Sequence, residues 1–261
     1  MRQPLWMAIV LLAGAPPVAA QVRYAPGTYR YEMVTEMTQR QDAMGAGRES
    51  AMRLLQRLTV TIAERHRDTL SVTFVIDSID LDVGQPIPDS LLPDVRGLTM
   101  TGTMSPQGRL HALRSVTDSL ADLATDFRTF FTRLPRVMAV GTSWVDTTTV
   151  DVNPAGLTLG KLTMAVASRI MADTVYEGIT AWKVERSSVG TGGGTNLDSG
   201  TEMKFEMTAR GTGTAFISKN GVYLGGTGSS ESVATESVPA HNVTLRITAA
   251  GSSRVRLLRT R

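Results

Sequence analysis

The chain has 261 residues, with 27 Lys and Arg against 24 Asp and Glu, and it contains no cysteine. Hydrophobic residues make up 42% of it, which is enough for a buried core and argues against general disorder. The net charge of +3 gives no indication of a nucleic-acid partner. Without cysteine, disulfide scaffolds, Cys-ligated zinc sites and thiol nucleophiles are excluded.

The N-terminus has the three parts of a secretory signal. Arg2 supplies a positive charge, Leu5–Ala15 carries no charged or polar side chain, and small residues precede a cleavage site between Ala20 and Gln21. This apolar run is too short to span a bilayer, which needs roughly 20 residues, and no later stretch is apolar enough to cross as a helix. We therefore expect a signal peptide over 1–20 and a mature chain that is exported to the periplasm or the extracellular space.

Period-two alternation of apolar and polar residues is the main structural signal after the signal peptide. The apolar positions are Tyr29, Tyr31 and Met33; Leu58, Val60 and Ile62; Leu70, Val72, Phe74 and Ile76; Leu162, Met164 and Val166; Met203, Phe205 and Met207; and Val243, Leu245 and Ile247. Sheets with one face in water have this pattern and are generally antiparallel. The sequence therefore predicts a mainly β fold, either a large curved antiparallel sheet or a partly closed barrel.

Glycine and proline mark the expected turns. Asn220-Gly221 is a strong hairpin signal, and Ser105–Gly108 has the composition of a turn between two strands. The glycine-rich stretch 190–200 is expected to be a loop. Ala43–Leu55 allows a short helix, although two glycines in it weaken that prediction.

One segment has helical instead of strand periodicity. Apolar residues recur three or four positions apart at Val116, Leu120, Leu123, Phe127, Phe130, Phe131 and Leu134. This spacing predicts an amphipathic helix over 116–134 that ends at Pro135. Because a curved sheet with one apolar face must cover that face, we expect the helix to lie across the concave side.

Short matches in the same order indicate a tandem repeat with halves at about 27–113 and 141–226. The matching segments are 27–31 with 141–145, 58–63 with 162–167, and 101–103 with 212–214. Chance matches are also expected in a chain rich in Thr and Gly, so both explanations stay open. Since no linker separates the halves, we predict one β-rich domain over 21–261, with the helix between the repeats.

The apolar strand faces are rich in methionine and aromatic residues. Flexible thioethers suit an adaptable pocket for acyl chains, and they suit a packed core equally well. The candidate ligand-binding residues are Tyr29, Tyr31, Met33, Phe74, Phe127, Phe131, Met164, Met203 and Phe205. The leading hypothesis is an exported, non-enzymatic protein that holds a lipid or another hydrophobic ligand. The alternative is a structural or protein-interaction module with a fully packed core.

No set of residues in the sequence indicates catalysis or metal binding. His66, His111 and His241 lie far apart, and neither a His-Glu-x-x-His nor a Gly-x-Ser-x-Gly motif is present. The aspartates between 77 and 82 do not have the spacing of an EF-hand loop. We expect no catalytic residue, no metal and no cofactor.

The segment Leu134–Trp144 follows the predicted helix with a proline, a short apolar step, Val-Gly and a tryptophan. In this it resembles a segment of uncharacterised bacterial exported β-proteins. The order of predicted elements also resembles the half-barrel superfamily that contains the periplasmic lipoprotein-localisation carriers. The resemblance implies a lipidic chain held between a curved sheet and helices.

Overall fold

Strands account for most of the chain that the computed structural model describes. The described residues are 22–43, 46–66, 68–84, 96–115, 127, 130–152, 160–198, 201–241 and 243–258. The strands are β1 (Gly27–Ala43), β2 (Ala46–His66), β3 (Thr69–Asp82), β4 (Thr99–Met104), β5 (Leu110–Ser115), β6 (Ser143–Val152), β7 (Gly160–Tyr176), β8 (Ile179–Asp198), β9 (Thr201–Ser218), β10 (Tyr223–Val238) and β11 (Val243–Leu258). A 3₁₀ turn at Pro239–His241 joins the last two.

All eleven strands belong to one antiparallel sheet. Its order is β5-β4-β3-β2-β1-β11-β10-β9-β8-β7-β6, so the first and last strands of the chain pair in the middle. Each half of the chain is a meander that runs outward from this pair. In the described residues β5 and β6 are the two edges and do not pair, so the sheet is open between them. The prediction of one large antiparallel sheet is confirmed, and closure into a complete barrel does not occur.

The register gives the sheet an apolar and a polar face, as alternation predicts. Tyr31 lies opposite Leu58 on β2 and Leu257 on β11, and these side chains share the face that we call the inner face. Glu32, which follows Tyr31 in the chain, points to the outer face, where its carboxylate forms ion pairs with Arg57 at 3.5 Å and Arg256 at 3.0 Å. Such exposed pairs stabilise a sheet by at most about 1 kcal/mol each.

The hydrophobic core lies at one end of the sheet, on the inner face. It contains buried side chains from both halves of the chain, among them Leu58, Val60, Phe74, Ile76, Met100, Met104, Ile170, Val184 and Ile217. These positions lie in β4 and in the parts of β2, β3, β7, β8 and β9 that are nearest the β2–β3, β7–β8 and β9–β10 turns. We call the end of the sheet that holds this core the packed end, and the opposite end is more exposed.

Two hydrogen bonds from the N-terminal segment show that the sheet is strongly curved. Tyr24 N donates to Pro106 O at 2.8 Å, and the next residue, Ala25, donates its N–H to Gly221 O at 3.0 Å. The two acceptors belong to the β4–β5 and β9–β10 turns, and β4 and β10 are five strand spacings apart, roughly 24 Å in a flat sheet. Successive Cα atoms are only about 3.8 Å apart, so the sheet must curl to bring these turns together.

Most of the predicted helix over 116–134 lies outside the described residues. Of that range the structure describes Phe127, which is helical, and 130–134, which are not. In this stretch Leu134 N donates to Gln107 O at 2.7 Å, and Thr132 O accepts a hydrogen bond from the hydroxyl of Tyr24 at 2.6 Å. Phe130 N still donates to Phe127 O at 3.1 Å, but the prediction is wrong for residues 130–134, because the backbone of Thr132 and Leu134 bonds to Tyr24 and Gln107 and not to a preceding helical turn.

The two predicted turns are confirmed. Asn220-Gly221 joins β9 to β10, and Gly221 has the positive φ of 80° that the glycine permits. Ser105–Gly108 joins β4 to β5 and is closed by a hydrogen bond from Gly108 N to Ser105 O at 2.9 Å.

Two other local predictions are wrong. The expected loop at 190–200 is strand as far as 198, because its glycines pair in register with β7 and β9. Most of the short helix considered over 43–55 is instead part of β2, where alternation continues through the segment.

Three buried tyrosines, Tyr24, Tyr31 and Tyr223, make the stability of the fold sensitive to alkaline pH. Burial raises the pKa of all three phenols, and it raises the pKa of Tyr223 to about 12 although the nearby charge of Arg186 opposes the shift. An unfolded tyrosine ionises near pH 10, so stability is complete below that pH and declines as the pH rises toward 12.

We expect the free energy of unfolding to be lower at pH 11 than at pH 8 by about 1.4 kcal/mol from Tyr223 alone. Urea denaturation at the two pH values measures this difference. The Tyr223→Phe variant should lose part of it, and equal free energies at both pH values would contradict the prediction.

Candidate functional site

A cluster of aromatic side chains covers the inner face at the packed end. Phe127, Phe130 and Phe131, which we call the plug together with Leu134, are all buried. Ring centroids lie 5.2 Å apart for Phe127 and Phe74, 5.2 Å apart for Phe130 and Tyr31, and 4.9 Å apart for Phe131 and Tyr24. Tilted and edge-on aromatic pairs at this spacing are favourable beyond their burial. The plug therefore occupies the place that was expected for the predicted helix.

Beside the plug, the inner face carries side chains that are too small to fill the space above it. We call these residues the floor: Ser188 on β8, Gly211 and Gly213 on β9, Gly226 and Gly228 on β10, and Ser253 on β11. Gly213 lies opposite Gly228, and Gly211 lies opposite Ser188, so the small residues form a continuous patch across four strands.

The space between the floor and the plug is a cavity of about 300 Å³, which we call the inner cavity. The larger apolar and aromatic side chains on its walls are Met33, Phe127, Phe130, Met164, Val166, Tyr223 and Val255. An apolar wall with a few polar groups and a volume near this value is typical of pockets for small ligands.

A second cavity, of about 360 Å³, lies between the two unpaired edges of the sheet. We call it the seam cavity, and its walls include Arg109 and His111 near β5, Phe131, Thr132 and Arg133 of the segment after the plug, and Trp144 and Asp146 on β6. Met164, Val166 and Arg186 line both cavities, so the two are direct neighbours. The opening of the sheet thus leads toward the apolar interior.

The seam cavity has more positive than negative charge. Among its described lining residues, Arg109, Arg133 and Arg186 stand against one carboxylate, Asp146. Asp146 forms its ion pair with Arg133. Leaving His111 out of the count, these described residues hold an excess of two positive charges, and the one carboxylate among them pairs with Arg133 and not with Arg186.

Two polar atoms in the walls of the seam cavity are buried without a hydrogen-bond partner in the described part of the chain. They are Nε of Arg186 and Oγ1 of Thr132. Leaving a buried donor or acceptor unpaired costs about 1–3 kcal/mol, and more for a charged group. An unpaired buried polar group in a native protein calls for an explanation, and a bound ligand, ion or water that pairs with it is one.

The structure distributes the nine predicted ligand residues over three environments. Met33, Phe127 and Met164 line the inner cavity, and Phe131 and Met164 line the seam cavity. The remaining residues do not line either cavity: Tyr31 and Phe74 are buried in the core, Tyr29 packs against it, and Met203 and Phe205 lie on β9 toward its start. That the nine residues bind a ligand stays a prediction, and four of them line one of the two cavities.

Arg186 and the floor glycines were missed by the sequence analysis, although a signal for each is present. Along β8, the inner positions read Trp182, Val184, Arg186, Ser188 and Gly190, so one charge interrupts an otherwise uncharged face. The floor shows as glycines spaced two apart, at 211 and 213 and again at 226 and 228. Period-two glycines inside strands mark a face with no side chains and not a loop.

Two wider grooves lie on the outer face, with volumes of about 760 and 880 Å³. The first is lined by charges that already have partners: Arg53 pairs with Glu36 at 3.4 Å, and Arg210 pairs with Glu231. Arg210 is 77% exposed in its side chain, so this groove is open and wet. The grooves on the outer face are therefore weaker candidates than the two cavities of the inner face.

The described residues contain no cluster of three or more His, Asp and Glu side chains that could hold a metal ion. Of the histidines, His111 lines the seam cavity, whereas His66 lies at the end of β2 and His241 in the 3₁₀ turn. In the part of the chain that the structure covers, no helix has the length and hydropathy needed to cross a membrane.

Comparison with known proteins finds similarity to solved structures only. No protein-family model matches the chain, and no curated protein matches it in sequence. Among solved structures, the chain is similar to a domain from Vibrio parahaemolyticus assigned as an outer membrane lipoprotein-sorting protein, with a TM-score of 0.20, 9% identity, and 87% and 85% of the two chains covered. It is also similar to a DUF1329 family protein from Desulfovibrio piger, with a TM-score of 0.16, 9% identity, and coverage of 84% and 83%.

Proposed function

We propose that this chain is an exported, non-enzymatic binding protein that holds a lipid or another hydrophobic ligand between the curved sheet and the plug. The observation that carries the proposal is the inner cavity of about 300 Å³, which the plug leaves unfilled. A purely structural module would be expected to close such a space, because protein interiors pack with few voids larger than a water molecule.

The position of the cavity supports binding rather than a packing defect. Its floor is built from glycine and serine over four adjacent strands, and a single poorly fitting side chain would not produce this. Its walls bring Met33 and Met164 together from opposite halves of the chain, and methionine adapts well to chains of varied shape. Burial of each methylene group of a ligand in such a site is worth about 0.8 kcal/mol.

Filling the inner cavity should prevent binding. Ser188 faces the inner cavity, since a Cβ added at Gly211 would lie 2.9 Å from its Oγ. In Ser188→Phe, the ring would extend over Gly211 into the space for the ligand. We expect this variant to bind the neutral fluorescent probe N-phenyl-1-naphthylamine about tenfold more weakly than the unchanged protein, as measured by fluorescence titration.

The matched control is Val189→Phe, which places the same ring on the same strand but on the exposed outer face. It should bind the probe as the unchanged protein does, and both variants should keep a cooperative thermal transition. Organic extraction and mass spectrometry of the purified protein should in addition recover a stoichiometric lipid. If the unchanged protein binds no probe and yields no lipid, the proposal fails. The alternative, a structural or protein-interaction module with a fully packed core and no ligand, then takes its place.

A further inference from the structure

The charges of the seam cavity, together with its contact to the inner cavity, indicate what kind of hydrophobic ligand the protein holds. We propose that the ligand is an anionic amphiphile, with its carboxylate or phosphate head group bound by Arg186 in the seam cavity and its chain in the inner cavity. This inference rests on the proposed function and extends it to the chemistry of the head group.

Arg186 is placed at the boundary between the two cavities. It is the charged residue that lines both, and on the inner face it lies between Ser168 of β7 and Gly213 of β9. Neither neighbour carries a charge, and the neighbouring inner position Val184 is completely buried. The side chain of Arg186 is partly buried, and no ion pair joins it to a carboxylate of the described residues, so an anionic ligand would give its guanidinium a charged partner.

The unpartnered atoms supply the donors for a head group. Nε of Arg186 is buried and free to donate, and the hydroxyl of Thr132, which is only 1% exposed, can donate through Oγ1. Both belong to the wall of the seam cavity. Hydrogen bonds between ionised partners are roughly twice as strong as neutral ones, so Arg186 should contribute most.

The surface around the opening between the two sheet edges is also positively charged. An adjoining depression of about 430 Å³ shares Arg109, His111 and Arg133 with the seam cavity and adds Arg136. No acidic residue is among the described residues that line it. Arginines clustered at an entrance attract anions and repel cations, so the opening selects for a negative head group before the chain is buried.

Three amphiphiles that share one alkyl chain length and differ in their head group test the proposal. They are dodecanoate, dodecanol and dodecylamine, each titrated below its critical micelle concentration at neutral pH. We expect the unchanged protein to bind dodecanoate at least about tenfold more tightly than dodecanol, and dodecylamine most weakly. In Arg186→Gln, dodecanoate should lose about tenfold in affinity while dodecanol keeps its own.

Two further variants make the result specific to the position. Arg186→Lys keeps the positive charge and should retain most of the preference for dodecanoate. Arg169→Gln, on the exposed outer face of β7, should bind all three compounds as the unchanged protein does. Thermal melting confirms that each variant is folded.

The outcomes separate this inference from the proposed function. Equal binding of dodecanoate and dodecanol, or an unchanged affinity for dodecanoate in Arg186→Gln, would overturn the head-group inference and leave a hydrophobic site intact. Competition by acetate or inorganic phosphate at the affinity of dodecanoate would show a site for free anions and would also overturn it. Binding of none of the three amphiphiles would remove both proposals.

Discussion

Replacement of Phe74 by alanine is expected to destabilise the protein by about 3–5 kcal/mol. Phe74 is completely buried, and its ring meets Phe127 at 5.2 Å, Phe130 at 5.6 Å and Phe131 at 6.0 Å between centroids. The substitution therefore removes a ring that contacts all three aromatic members of the plug. For a chain of this length the expected decrease in Tm is about 10 °C, measured by differential scanning calorimetry.

Phe216→Ala is the matched control for this prediction. Phe216 stacks on Tyr176 at 4.0 Å between ring centroids, but it is only partly buried and lies outside the core. Its replacement should cost about 1 kcal/mol, the value of an aromatic pair at a surface. Equal losses of stability in the two variants would mean that the plug does not depend on Phe74.

The faces of the sheet could be predicted from the sequence because alternation is a local property. Tyr31, Leu58 and Phe74 each belong to a series of apolar residues at every second position of their strand, and all three are buried on the inner face. Asn220-Gly221 was predictable for the same reason, since two adjacent residues are enough to define the hairpin turn.

The cavities could not be predicted in this way because they depend on which strands become neighbours. Arg186 and Asp146 are forty residues apart in the chain, and both line the seam cavity only because β6 and β8 flank β7 and the sheet curls. The glycine-rich stretch 190–200 was predicted to be a loop because its composition is flexible in isolation. In the sheet, Gly192 lies opposite Met207 and Gly194 lies opposite the buried Phe205, so pairing with β9 keeps this stretch extended.

The pairing of the plug with the sheet was predictable only in part. The spacing of Phe127, Phe130 and Phe131 correctly indicated one apolar face that packs on the sheet. It could not reveal that residues 130–134 leave the helical conformation. That departure is caused by Tyr24 and Gln107, which are distant in sequence and bind the backbone of this stretch.

Gly226→Ala is expected to destabilise the protein by about 2–3 kcal/mol, because a floor glycine at this position permits a close approach of two strands. A Cβ at Gly226 would overlap the backbone carbonyl oxygen of Thr214 on β9. That oxygen belongs to a paired strand and cannot move alone, so β9 and β10 must separate to admit the methyl group. The free energy of unfolding, measured by urea denaturation, should fall accordingly.

Gly228→Ala tests whether this cost comes from the close approach or from any loss of glycine in the floor. Gly228 lies two residues further along the same strand and face, but the nearest atom to its added Cβ is the rotatable Oγ of Ser253 at 3.2 Å. Its replacement should change stability by less than about 1 kcal/mol, since alanine also restricts the unfolded chain. Because the methyl group enters the inner cavity, Gly228→Ala should weaken binding of N-phenyl-1-naphthylamine while the fold stays intact. A large destabilisation in both variants would contradict this account and indicate that the floor requires glycine for its backbone rather than for the space above it.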